Sequence, residues 1–153
     1  MLETEIAALV RFMDPLNLKT YFKELPEGFA TPSVYFPPPE VSSGTHSLSA
    51  YSNVFSLFMK VFGKNSAESY YYASQIEKSI LGRRSRIPLY DKDGKPAGKS
   101  FRIDKVGIKN IDTGVTQVTL NWKTLTAYDD ETYIKAVNFF LRRVGHIEKI
   151  GGI

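Results

Sequence analysis

Histidine is the side chain whose ordinary pKa suits acid–base work near neutral pH, and the chain has two, His46 and His146. Neither stands at ligand spacing from the other or beside a nucleophile motif such as G-x-S-x-G. His46 falls in the polar run Ser42-Ser43-Gly44-Thr45-His46 and reads as solvent-facing. With no Cys, the chain has no thiol nucleophile, thiolate metal site or disulfide, which fits a reducing compartment. Asp91-Lys92-Asp93-Gly94 opens like a calcium loop, but Lys95, Pro96 and Lys99 fall where further oxygen ligands are needed, so it reads as an Asp-Gly turn. Asp129-Asp130-Glu131 suits the positive end of a helix dipole. There is no Walker A sequence and no G-x-G-x-x-G. The expectation is a protein that is not an enzyme and holds no cofactor and no metal.

Other residues offer contact rather than bond-making. Arg83-Arg84-Ser85-Arg86 and Arg142-Arg143 are compact basic clusters, but each falls at a predicted helix C-terminus, where cations complement the dipole without a partner. The aromatic residues, 13% of the chain, lie on apolar stripes instead of interleaving with the basic ones, and no RNP-type or helix-turn-helix signature is present. Tyr70-Tyr71-Tyr72 occupy successive helical positions that together span about 200°, so they cannot all face one core. Tyr70 and Tyr71 are therefore candidates for a subunit interface, where tyrosine brings large area at low rotamer cost. Residues 37–49 are too polar for core and too proline-rich for free coil. Pro38, Pro39 and Val41 belong to this extended arm and are candidates to lie across a neighbouring subunit.

The elements that must position these residues follow from periodicity. A chain of 153 residues, 42% apolar, can bury one core without a staple. No window is apolar over the ~18 residues of a bilayer span, and Glu3 and Glu5 stand where a signal peptide carries Lys or Arg, so a soluble protein with no membrane partner is expected. The formal charge of +4 is uneven: residues 1–47 carry three basic and six acidic groups, residues 48–153 seventeen and ten. Leu2, Ile6, Leu9, Val10 and Met13 form one helical face closed by Asp14-Pro15, and residues 15–32 read as an ordered connector. Ser33-Val34-Tyr35-Phe36 is a brief strand, and residues 48–62, apolar on both parities, predict an inner strand covered on both sides. Ser66 is the expected N-cap of a helix that buries Tyr72, Ala73, Ile76 and Ile80 and ends near Gly82. Residues 87–126 read as a meander whose last strand alternates Val118, Leu120 and Trp122 with Gln117, Thr119, Asn121 and Lys123. Asp129 or Asp130 then caps a final helix with Tyr133, Ile134, Val137, Phe140, Leu141 and Val144 on its stripe. The predicted fold is α+β in a single domain, residues 1–153: a mostly antiparallel sheet with an N-terminal, a central and a C-terminal helix packed against it.

In this order the segments TPSVYFPPPE, AYSNVFSLFMKVFGKN, SAESYYYASQIEKSIL, RIPLYDKDGKPAGKSFRI and DTGVTQVTLNWKTLTAYDD, preceded by an amphipathic helix, resemble the tail terminator (tail-completion) proteins of long-tailed bacteriophages and related prophages. The resemblance spans residues 1–130, and the helix at 130–144 is longer than in compact members of that family. It implies subunits that close into a hexameric ring on the tail tube, halt its polymerisation and offer a surface for head joining. The implied partners are further copies of the chain, the tail tube protein and a head-completion or connector protein, with genome DNA passing through without sequence readout. The implied location is the virion tail, after assembly in the bacterial host cytoplasm. Ring closure needs a heterologous interface, for which Tyr70, Tyr71, Pro38, Pro39 and Val41 are the candidates. Arg83, Arg84 and Arg86 are candidate DNA-channel or ring contacts. Two further readings share this texture: another phage neck or head–tail connector protein, and a small basic nucleic-acid-binding module.

Overall fold

The computed structural model describes residues 2–22 and 24–129. Helix α1, Leu2–Met13, buries Glu5, Ala8, Leu9 and Met13, which recur at helical spacing. Asp14-Pro15 tightens its end into a 3-10 turn, Asp14–Leu16, closed by left-handed Asn17, whose N–H donates to Asp14 O at 3.0 Å. Strand β1, Lys19–Phe22, pairs in parallel with β2, Ser33–Phe36. The sequence reading has only a connector where β1 lies. Thr20-Tyr21-Phe22 has strand-forming chemistry, but a strand so short shows too little alternation to declare itself.

Strand β3, Glu40–Thr45, pairs with β4, Ala50–Phe62. Helix α2 follows, Ser66–Gly82, then β5, Arg86–Tyr90, β6, Pro96–Asp112, and β7, Val115–Ala127. The N-cap of α2 is Asn65, not Ser66: its side chain accepts from Glu68 N at 2.9 Å, and Glu68 Oε2 accepts in return from Lys64 N at 2.8 Å. The Ser66 hydroxyl instead accepts from Gly114 N at 3.1 Å, tying the β6–β7 turn to the helix start. The sheet runs β1-β2-β4-β7-β6-β5, with β3 on β4 off this path.

This corrects the predicted fold class. The protein is mostly β, with seven strands against two α-helices among the described residues, and the three-helix packing is not seen. The strands are longer and more numerous than the α+β reading allows: β6 alone extends over 17 residues and β4 and β7 over 13 each. The expected C-terminal helix, with its cap at Asp129 or Asp130, lies outside the described residues except for Asp129 itself.

Among the described residues two compact units are distinguished, one within 2–41 and 54–123, the other of residues 42–53 and 124–129. The first holds the core. Leu57, Met59 and Val61 of β4, Ile76 and Ile80 of α2, Ile87 of β5, Ile103 of β6 and Val118, Leu120 and Trp122 of β7 are all buried there with Leu9 of α1. Trp122 stacks on Phe55 with centroids 5.4 Å apart and leans on Phe101 at 5.7 Å. The second face of β4 is less covered than predicted: Val54 is 42% exposed and Phe58 only half-buried, while Phe62 is shielded by Phe29 at 4.6 Å. In the second unit, residues 42–53 form a hairpin, held by Ser43 Oγ donating to Asn53 Oδ1 (2.8 Å) and Asn53 Nδ2 donating to Thr126 Oγ1 (2.8 Å).

Candidate functional site

The outward tyrosines sit where the helical arithmetic places them. Tyr70 is 48% and Tyr71 58% exposed, while Tyr72 turns inward and meets the Tyr71 ring edge-on at 5.4 Å. Beside Tyr70 and Tyr71 lies an open hollow completed by Ser66, Ala67, Gln75 and Asn110. The close approach that orients α2 here is a glycine joint. Gly63 N donates to Gly114 O at 3.0 Å, and a Cβ on Gly63 would fall 2.7 Å from Ser69 N. Behind the tyrosines, Ser69 Oγ and Thr116 Oγ1 form a buried bond of 2.9 Å between α2 and β7.

The arm is a strand over residues 40–45, exposed at every position, and it turns at 46–49 into β4. Val41 is 51% exposed. Pro37, Pro38 and Pro39 line a shallow apolar hollow with Ile6, Phe22 and Phe36, where Phe22 is half exposed. This hollow and the tyrosine hollow share no residue, so Tyr70 and Tyr71 belong to one surface and Pro38 and Pro39 to another.

The three arginines do not converge. Helix α2 ends in a Schellman motif: Ser85 N donates to Ile80 O and Arg84 N to Leu81 O, both at 2.9 Å. Arg84 thereby holds φ 58°, and Ser85 φ 61°, in the left-handed region. The reversal separates the side chains. Arg83 reaches back over the Phe12 ring, with Cζ 5.7 Å from its centroid, while Arg86 opens β5 opposite Arg102 of β6.

Residues with acid–base or metal-binding chemistry are scattered. His46 is exposed in the β3–β4 turn, and His146, Arg142 and Arg143 lie outside the described residues. Asp91 Oδ1 accepts from Asp93 N (3.0 Å) and Lys95 N (2.9 Å), which is an Asp-centred turn. No group of three or more potential metal-ligating side chains occurs among the described residues. No helix among them is long and apolar enough to cross a membrane. One carboxylate is enclosed: Glu5, 5% exposed, accepts from Trp122 Nε1 at 2.8 Å. Burial pushes its pKa up, and the indole bond opposes that shift.

Sequence reasoning singled out the polar positions of β7 but missed what register sets beside them. Lys105 and Lys109 of β6 lie opposite Asn121 and Gln117 of β7, and the Lys60 ammonium of β4 donates to Gln117 Oε1. Burial lowers the pKa of Lys60. The signal was present as Lys-x-Gly-x-Lys at 105–109, but a row across three strands has no trace in linear order.

What the described residues present is a sheet protein whose hollows are open and lie on distinct surfaces. No protein-family model matches the chain. It is 28% identical over 128 residues to the uncharacterized protein YqbJ of Bacillus subtilis (strain 168), an alignment spanning 83% of this chain and 88% of that protein. It is 27% identical over 128 residues, with the same coverage, to the phage-like element PBSX protein XkdJ of the same organism. The chain is thus similar, over most of both lengths, to a protein of a phage-like element.

Proposed function

We propose that this chain is a structural and assembly protein of a phage-type particle, with no catalytic step. In its finer form the proposal is a hexameric ring that caps the tail tube, ends its polymerisation and presents the surface to which the head is joined. The observation that carries the reading is the similarity to the PBSX protein, which extends over 83% of this chain and 88% of that one, too much to be a shared motif. Two features support the ring. Heterologous closure requires two unlike patches on one subunit, and the Tyr70–Tyr71 surface and the Pro38–Pro39 surface with exposed Val41 are two such patches. The tyrosine patch sets exposed aromatic area among polar neighbours, as interface rims do, whereas the proline patch is apolar throughout.

The test is light scattering on a size-exclusion column at two protein and two salt concentrations, with and without the matching tail-tube protein. A discrete hexamer, or rings appearing on tube ends, is expected. A monomer that ignores tube ends under every condition overturns the capping role.

A further inference from the structure

The outward face of β4, β7 and β6 carries charge that the core does not require. Directly opposed residues of an antiparallel pair share a face, and Ile108, Val118 and Leu120 take the side packed on the core. The opposite side therefore holds Lys105 with Asn121, Gly107 with Thr119, and Lys109 with Gln117. Lys60 extends the last of these into a row across three neighbouring strands, and Lys123 continues β7 two residues beyond Asn121. Four lysines thus surround Gly107 and Thr119. A Cβ built on Gly107 meets nothing within 4 Å, so the middle of the patch is a low, open floor.

Compensating carboxylates are nearly missing. Strands β4 and β7 contain no Asp or Glu, and β6 has Asp104 at its bulge and Asp112 at the hairpin end. Like charges on adjacent strands cost stability, so nothing within these three strands favours this grouping. On β6 and β7 the face is polar: between Lys105 and Lys109 stands Gly107, and between Gln117 and Lys123 stand Thr119 and Asn121, while the nearest aromatic, half-buried Phe58, stands beside Lys60 on β4. Amide and hydroxyl donors set among lysines are what phosphate oxygens accept from.

We propose that this face binds the phosphate backbone of duplex DNA without reading its sequence. The surface is distinct from the Arg83–Arg86 segment, and the inference stands on register and charge whether or not the protein caps a tail.

The experiment is fluorescence anisotropy with a labelled DNA duplex of arbitrary sequence, titrated across a salt series. Four phosphate contacts give a slope of log K against log salt of about −3.6, which is roughly a 150-fold loss between 50 and 200 mM. Replacing Lys105 and Lys109 together by Ala lowers the slope by about 2. Gly107→Glu enters open space in a strand and sets a carboxylate among the lysines, so it abolishes binding while circular dichroism stays unchanged. Arg83→Ala with Arg84→Ala leaves the slope as it was. No binding by the wild-type protein at 50 mM salt, wild-type affinity in folded Gly107→Glu, or loss confined to the arginine variant would each overturn the proposal. Intact DNA binding by a protein that ignores tube ends removes the capping role alone, and capping without DNA binding removes this inference alone.

Discussion

Removing the carboxylate of Glu5 is expected to loosen the joint between α1 and the sheet, because it is the partner of an indole N–H that water cannot reach. Trp122 is fully buried, and its Nε1 donates to Glu5 Oε2 at 2.8 Å. Glu5→Ala leaves that donor unpaired, which costs about 1–3 kcal/mol and lowers the melting temperature by roughly 2–12 °C in a chain of this size. Glu5→Gln separates bond from charge, since its amide oxygen accepts the same N–H with no ion to desolvate. The pH dependence gives the sign. Burial raises the Glu5 pKa above 4.5, so the folded state holds this proton more readily than the unfolded one. The group's contribution to stability is then greatest in acid and falls as pH climbs from the ordinary carboxylate value through the raised one. Glu5→Gln escapes that fall, so its stability relative to wild type improves from acid toward neutral pH and then levels. Trp122 is the only tryptophan, so urea unfolding followed by its fluorescence reads this site directly. Wild-type stability in Glu5→Ala at pH 7, or a wild-type to Gln difference that is flat with pH, would refute the reasoning.

Three other outcomes follow from backbone and surface. Arg84 occupies the left-handed position of the Schellman motif, where a β-carbon costs about 1–2 kcal/mol, so Arg84→Gly stabilises the protein by roughly 0.5–1 kcal/mol in denaturant titration. Gly114 holds φ 73° with Gly63 O 3.0 Å from where a Cβ would stand, and Gly114→Ala should destabilise by about 1–2 kcal/mol or more by the same measurement. Tyr71→Ala should leave the fold within about 0.5 kcal/mol of wild type and weaken self-association about tenfold or more, read by light scattering. Unchanged association would remove Tyr71 from the interface.

The parts of the fold legible in the sequence are those where one physical rule acts alone. The alternation of Val118, Leu120 and Trp122 against Gln117, Thr119 and Asn121 survives intact because β7 has one face on the core. The stripe of α1 and the turn at Thr113-Gly114 are legible for the same reason. Strand β1 was not, because its pairing with Ser33–Phe36 is supplied by another segment and not by its own pattern. Phe58 and Phe62 made β4 look covered on both sides, yet apolar chemistry on a face does not bring a partner to it. Asn65 displaced Ser66 as cap because the Ser66 hydroxyl was taken by Gly114. Among the candidate surfaces, the tyrosines followed from helix geometry. The arginines, close in sequence, diverge at a left-handed turn, whereas Lys60 and Lys109, far apart in sequence, flank Gln117 in the sheet.

The bond between Glu5 and Trp122 joins residues 117 positions apart. During synthesis at about 5–20 residues per second, Glu5 precedes Trp122 by roughly 6–23 s. For that interval the apolar stripe of α1, Leu9 and Met13 included, has no β7 to rest on. Helix α1 packs on β5 as well, so the emergence of residues 86–90 gives it a first partner, while the bond that closes the joint waits for the seventh strand.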